Sequence, residues 1–307
     1  MNMRVVIAGC GDLGLRVAQA LLENPATEVW GIRRTIPHAQ HGELKEKQHS
    51  ADSDASHTVL TSPELAHTLH WIAADLSDAT TLTKLPTDVT HIVFAAAPSQ
   101  RSEQDYLATY LTGLKNIVHA LASPSLKRVI FISSTAVYGE HGQDLVDETT
   151  PVAPKGFNGR ILCEAEAWLA QLHRDTHIEA LSLRLSGIYG PGRTYLLDRL
   201  RQGLAAAASQ PEHWVNRIHI EDATAAVIHL LSYPHPEPVY LVTDSTPLPM
   251  RTLYEDLARI VGGPVPAEGN PPTGVGSKRL SNARLLATGF KFKWPDSRAG
   301  YASVVDL

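Results

Sequence analysis

Residues 4–14 read RVVIAGCGDLG, and the order of features in that stretch decides the fold. Val5 to Ala8 form a short unbroken apolar run, the pattern of a strand buried on both faces of a parallel sheet. Gly9-Cys10-Gly11-Asp12-Leu13-Gly14 then fits G-x-G-x-x-G. Leu13, Val17, Ala18, Leu21 and Leu22 recur at helical spacing until Asn24-Pro25 ends the helix. By itself the glycine spacing means little, but here the loop leaves a strand and opens a helix, which is the context the spacing needs. Gly9 permits the tight turn, Gly11 lets backbone approach a pyrophosphate, and Gly14 lets the helix pack on the strand. The helix N–H groups face the phosphate charge. The alternative, a helix start with incidental glycines, leaves this arrangement without a reason.

Working outward, Glu28 to Ile32 form a second strand. Arg33 follows, 19 residues after Gly14, and then Arg34. An acid at that point binds the ribose 2′-hydroxyl of NAD, whereas an arginine attracts a 2′-phosphate. NADP is therefore expected over NAD, the alternative being two solvated arginines leading into a polar loop. Leu69 to Ala73, His91 to Ala97, Arg128 to Ser133 and Glu179 to Leu185 read as further strands. Leu107 to Leu121 and Ile161 to Leu172 read as helices. Strands alternating with helices imply right-handed βαβ units and a mostly parallel sheet, an α/β Rossmann-type doubly wound fold. Asp75 and Leu76, after the third strand, are expected to border the adenine. Ala95, Ala96 and Ala97 end the fourth strand with side chains small enough for a ligand to reach backbone. Ser133 and Leu185, at later strand ends, are expected beside the cofactor too. Cys10 reads as a small space-filler rather than a reactive thiol.

The composition of the 307-residue chain is ordinary for a globular protein, 43% hydrophobic and 19% charged, with a net charge of −5. That balance offers nothing to nucleic acid or an anionic membrane. There is no apolar stretch of spanning length, and the N-terminus does not read as a signal peptide. The two cysteines, Cys10 and Cys163, form no C-x-x-C pair, so a reducing cytoplasm is the simplest setting. Between Pro37 and His70 lie six of the 15 histidines. A solvated insertion is the plain reading. A metal site suggested by His38 and His41 is the sharper one, but no nearby residues complete a ligand set, and no metal is expected. After Gly187 the pattern changes to turns and short elements, and residues 262–276 hold five glycines and four prolines. A small C-terminal substrate-binding cap is expected from 187–214 and 244–307. Residues 1–186 and 215–243 would then form the Rossmann domain.

Further motifs carry a resemblance. Ser133-Ser134-Thr135-Ala136-Val137-Tyr138-Gly139, Arg184 to Arg193 (RLSGIYGPGR), Asn216 to Ala223 (NRIHIEDA) and Lys278 to Asn282 (KRLSN) occur in that order. In these the chain resembles the extended short-chain dehydrogenase/reductases, the NAD-dependent epimerase/dehydratase family. Its glycine loop and the segment Asn158, Gly159, Arg160, Ile161, Leu162 and Glu164 are similar to the atypical YeeZ-like subgroup. The resemblance implies hydride transfer with a small carbonyl or sugar-nucleotide substrate, and a homodimer through the helices at Leu107–Leu121 and Ile161–Leu172. It implies Ser134 as the catalytic hydroxyl position, with Gly187, Tyr189, Arg193 and Tyr195 around the substrate, and Trp214 either there or in the cap core. It also exposes a departure. Counting back from Glu164, the lysine of the family's Y-x-x-x-K couple is Arg160 and the tyrosine is Gly156. Arg160 offers a hold on the nicotinamide ribose but gives up no proton. Asn158, Tyr138, Tyr189, His141 and His219 are candidate substitutes for the missing acid. Two functions stay open: an oxidoreductase with a degenerate couple, or a non-catalytic NADP-binding sensor or regulatory module.

Overall fold

The computed structural model describes residues 3–36, 69–272 and 274–305. Segment 37–68, with the His38–His41 metal candidate, lies outside the described residues. His70 is inside them, stacked on Trp30 with ring centroids 5.3 Å apart.

Strand β1 (Met3–Ala8) leads through the glycine loop to α1 (Asp12–Leu22), then β2 (Thr27–Arg33), β3 (Leu69–Ala73) and β4 (His91–Phe94). Next come α2 (Glu103–Tyr106), a π-helical stretch (Leu107–Gly113) and α3 (Leu114–Ala120), which run on as one helix. β5 (Arg128–Ser134), β6 (Leu145–Val146), α4 (Phe157–Asp175) and β7 (Glu179–Leu185) follow. The remainder contains β8 (Gly187–Tyr189), α5 (Tyr195–Arg201), β9 (Ala206–Ala207), β10 (Trp214–Val215), β11 (Arg217–His219), α6 (Ile220–Ser232) and β12 (Val239–Val242). The chain then adds β13 (Leu248–Pro249), α7 (Met250–Ile260), β14 (Ala267–Glu268), β15 (Arg279–Leu280), α8 (Ala283–Ala287) and α9 (Ser297–Val305).

Seven strands form one sheet in the order β12-β7-β5-β4-β1-β2-β3, and every neighbouring pair is parallel. The order reverses between β1 and β4, and in such sheets ligands bind outside the carboxyl ends of the strands at that point. Val5, Val6, Ile7 and Ala8 are fully buried, as a strand covered on both faces requires. Leu13, Val17 and Ala18 of α1 and Ala223, Ala226 and Val227 of α6 cover one face. Leu114, Ile117 and Val118 of α3 with Leu162, Ala165 and Leu169 of α4 cover the other. Each buried Leu, Ile or Val contributes about 1.5–3 kcal/mol of transfer free energy. A third apolar cluster joins Leu197 and Leu200 of α5, Leu253 and Leu257 of α7, and Tyr301 and Val304 of α9. Leu285 and Phe290, inside the range expected to form the cap, instead pack into the core of the α1 face.

Three elements differ from the sequence expectation. β4 stops at Phe94; the small residues Ala95, Ala96 and Ala97 continue as irregular chain, with Ala96 against Gly9 of the glycine loop. Helix α4 starts at Phe157, several residues earlier than Ile161. The helix expected from Leu107 is π-helical through Gly113, with an extra residue in its hydrogen-bonded turn, a form that recurs at functional sites.

Candidate active site: a dinucleotide cleft

A cleft of about 710 Å³ opens at the switch point and runs along the carboxyl ends of β1, β2, β4, β5 and β7. That volume falls within the range of small-molecule and cofactor sites. Among the expected residues, Gly9, Gly11, Asp12, Leu13, Arg33, Arg34, Asp75, Leu76, Ala95, Ala96, Ala97, Ser133, Ser134, Leu185 and Arg193 line it.

The glycines are explained by contact. Gly9 has φ +89, and a Cβ there would sit 2.2 Å from the Ala96 backbone, so the turn admits no side chain. A Cβ on Gly14 would stand 2.7 Å from the Gly9 carbonyl oxygen and 3.0 Å from Ile7, which is the close packing of helix on strand. Gly11 is different: a Cβ there would meet nothing within 4 Å, so the space in front of it is free for a ligand. Cys10 turns away. It is fully buried, where a Cβ on Gly31 would touch its Sγ at 2.9 Å, and burial pushes its thiol up to about 12. Its N–H donates to Ile32, so Cys10 shapes the loop without facing the cleft. Asp12, at the start of α1, accepts from Arg16 Nε and from Arg193 Nε, both at 2.9 Å. Burial pushes the Asp12 carboxyl up, but the two guanidinium groups outweigh it and hold the pKa below the usual carboxylate value.

Arg33 ends β2, and Arg34 is exposed just beyond it. Neither has an ion-pair partner among the described residues, and both line the cleft beyond the glycine loop. Asp75 accepts the Ser77 N–H and hydroxyl at 2.9 and 2.7 Å, forming a local turn on the adjacent wall.

At the far end, Ser134 caps a short 3₁₀ turn, Thr135–Val137, its Oγ accepting from Ala136 N at 3.2 Å. Its own proton is not committed by that bond. Ser133 is committed: its Oγ donates to Glu166 at 2.6 Å, and Glu166 pairs with Arg184 at 2.6 Å, both side chains 8% exposed. Arg184 also donates to the Tyr138 hydroxyl at 2.6 Å, and that hydroxyl donates to the Asp147 carbonyl at 2.8 Å. Burial pushes the Tyr138 phenol up to about 12 despite Arg184. Tyr138 is thus a buried structural group. So is Tyr189, 1% exposed, packed between His219 and Tyr301 at 5.1 and 4.0 Å. His219 is equally buried and caps α6 by accepting from Glu221 N, and burial lowers its pKa against the charge of Glu221. The backbone of His141 joins the loop to Ser277, while Tyr195 is 75% exposed at the start of α5. Trp214 is half-buried beneath the Arg279 guanidinium.

Gly156 is the N-cap of α4, with φ −117 and ψ 167, a conformation open to any residue. A Cβ there would meet the Asn158 side-chain oxygen at 2.6 Å and nothing of the backbone. Arg160 is exposed, 3.6 Å from Glu103 of α2, and neither it nor Gly187 is among the residues lining the cleft. The cleft wall holds a tyrosine that sequence reasoning passed over. Tyr110, on the π-helical stretch, lines the cleft with Ala108, Thr109 and Ser134. Its ring stands edge-on to Phe131 of β5 and to Tyr106, which in turn packs against Phe157 beside Gly156. Tyr106 of α2 thus packs beside the N-terminus of α4, with Tyr110 against its other side. Burial and the neighbouring Tyr106 phenol raise the Tyr110 pKa, keeping its proton in place. Only the anomalous helix widening could have pointed to it, and no residue pattern signals that.

With this geometry in place the comparisons are coherent. The chain matches the sequence model of the NAD dependent epimerase/dehydratase family over residues 5–242, and it belongs to that family. It is similar to the protein YeeZ of Escherichia coli (strain K12), 30% identical over 294 residues, 95% of this chain and 97% of that protein. It is also similar to a structure assigned to the NAD-dependent epimerases/dehydratases from Methylobacillus flagellatus. There the TM-score is 0.75, with 33% identity over 100% of this chain and 98% of the other. It shares its fold with the UDP-glucose 4-epimerase of Thermus thermophilus in complex with NAD, at a TM-score of 0.75. Identity in that pair is 21%, with 99% and 98% of the chains covered. The family's cofactor class is a nicotinamide dinucleotide, and the residues fit one: an open approach at Gly11, a backbone turn at Gly9 and a cleft of sufficient volume.

Proposed function

We propose that the protein is an NADP-dependent oxidoreductase of the epimerase/dehydratase family acting on a small carbonyl or sugar-nucleotide substrate. The observation that supports this reading is a single cleft lined both by Arg33 and Arg34, which have no ion-pair partner among the described residues, and by the hydroxyl-bearing residues Ser134 and Tyr110. A bound nicotinamide dinucleotide supplies the hydride donor or acceptor. Arg33 and Arg34 hold the 2′-phosphate by charge-assisted hydrogen bonds. The Ser134 hydroxyl donates to the substrate oxygen and orients it. Tyr110, which keeps its proton, adds a second hydrogen-bond donor to that oxygen, and the proton that completes the transfer comes from water. Arg160, turned to Glu103, carries no step here. The cap over the substrate is built around the cluster of α5, α7 and α9, within 187–214 and 244–307, while Leu285 and Phe290 belong to the core of the Rossmann domain. A cytoplasmic setting fits the two free cysteines.

A non-catalytic NADP sensor is the second reading, favoured by Gly156 and by the exposed position of Arg160. Calorimetry with NADPH and NADH, then consumption of NADPH over a panel of aldehydes, ketones and nucleotide sugars, separates the two. Turnover that falls by roughly 10²–10³-fold in Tyr110→Phe is the expected result. Tight NADPH binding with no turnover on any substrate would favour the sensor, and no binding of either dinucleotide would end both readings.

A further inference from the structure

The glycine loop carries an acid where an anion is to bind. Asp12 lines the cleft at the first turn of α1, whose N–H groups have no partner inside the helix. A carboxylate at that point would oppose a pyrophosphate, yet the structure keeps it charged by pairing it on both sides. Arg16 Nε donates to Oδ1 and Arg193 Nε donates to Oδ2, each at 2.9 Å. The second bond joins residues 181 apart in sequence. Arg16 Nη2 adds a 3.4 Å bond to the Pro191 carbonyl. The turn Gly190–Arg193 is therefore clasped to the first turn of α1. It closes by an Arg193 N–H bond to the Gly190 carbonyl at 2.9 Å, with positive φ at Gly190 (137) and Gly192 (80).

The way Arg193 is held leaves it useful. A guanidinium has five donors in a planar fork, and the Asp12 bond takes one, at Nε. Its two terminal nitrogens have no hydrogen-bond partner among the described residues, and the residue lines the cleft. An anchored guanidinium with its outer edge free matches two oxygens of a phosphate.

We propose that Arg193 is the side chain that neutralises the cofactor's pyrophosphate, with Asp12 as its positioning residue. The turn Gly190–Arg193 then belongs to the dinucleotide site as well as to the path into the substrate cap. Asp12 is the anchor that aims the fork, and Arg193 masks the charge of its own anchor. The inference rests on the dinucleotide reading given above.

The test is calorimetry of NADPH binding to the full chain, wild type and variants, with adenosine 2′-monophosphate as a second probe displaced by NADPH. That probe shares the 2′-phosphate end and has no pyrophosphate. Arg193→Met should weaken NADPH about tenfold or more and leave adenosine 2′-monophosphate within about twofold. Arg193→Lys, which keeps the charge without the fork, should recover part of the loss and serves if the methionine variant does not fold. Asp12→Asn combined with Arg193→Met should bind NADPH better than Arg193→Met alone, because the uncovered carboxylate is gone. NADPH affinity of Arg193→Met within about twofold of wild type overturns the inference, as does an equal loss for both probes. If the wild type binds neither NADPH nor NADH, the cofactor reading itself has failed, an outcome distinct from an unaffected variant.

Discussion

Replacing Glu166 should destabilise the protein more than its place on a helix face suggests. Glu166 and Arg184 are both 8% exposed, so water cannot take over for a lost partner. The carboxylate accepts from Ser133 Oγ at 2.6 Å, from Arg184 Nε at 3.1 Å on each oxygen, and from Arg184 Nη2 at 2.6 Å. Glu166→Gln keeps the volume but removes the charge and turns one of the two accepting oxygens into an amide N–H₂, leaving the buried guanidinium with one amide oxygen and the Tyr138 hydroxyl as its side-chain acceptors. Breaking a buried pair from one side costs about 3–5 kcal/mol. For a chain of this size that corresponds to roughly 6–10 °C in Tm, taking about 2 °C per kcal/mol. Urea and thermal unfolding of Glu166→Gln, beside the double variant Glu166→Leu with Arg184→Met, measure it. The double variant should lose less than the single one, because an apolar pair of similar volume leaves no charge stranded. A loss below about 1 kcal/mol in Glu166→Gln would refute the account of the network. The effect should reach the cleft: Ser133 precedes Ser134 on β5, so dinucleotide affinity is expected to fall with stability.

Arg33→Asp should weaken NADPH about tenfold or more and shift preference toward NADH, read by calorimetry with both dinucleotides; unchanged NADPH affinity would remove Arg33 from the 2′-phosphate. Gly156→Tyr should fold as well as wild type, because the φ of −117 suits any residue and a side-chain oxygen of Asn158 is the near contact; a drop in Tm of several degrees would contradict that. Burial, helped by the charge of Asp296, raises the Asp244 carboxyl to about 7, against bonds from Thr246 and Ser297 that pull it down. Its folded pKa lies above its unfolded value of about 3.9, so the stability present below that pH is lost as pH rises toward 7. Asp244→Asn should flatten the dependence of unfolding free energy on pH across that window; an unchanged slope would show that another group sets it.

The parts legible in the sequence were those whose cause is local. An apolar run, a glycine spacing and a helical periodicity within residues 4–22 specified the first βα unit: Gly9 and Gly14 sit where a side chain would clash, and Gly11 faces open space. Arg33 and Arg34 were legible for the same reason, because β2 fixes the distance from the glycine loop to its own end. The resemblance put the family's tyrosine position at Gly156, and Gly156 stands at the N-cap of α4. Which other hydroxyls line the cleft was not readable. Tyr138 and Tyr189 look like candidates as residue types, yet the first is consumed by Arg184 and the second sits against Tyr301. Tyr110 enters the cleft through a π-helical stretch that no residue pattern announces. The pairing of Asp12 with Arg193 depends on the chain completing the sheet before residues 181 apart can meet. Sequence by itself determined six of the seven strands of the main sheet and the glycine turn, because backbone sterics and hydrophobic period act over a few residues. Only the tertiary structure decided which hydroxyls and guanidinium groups face the cleft, because burial and hydrogen-bond partners are set by packing between distant segments.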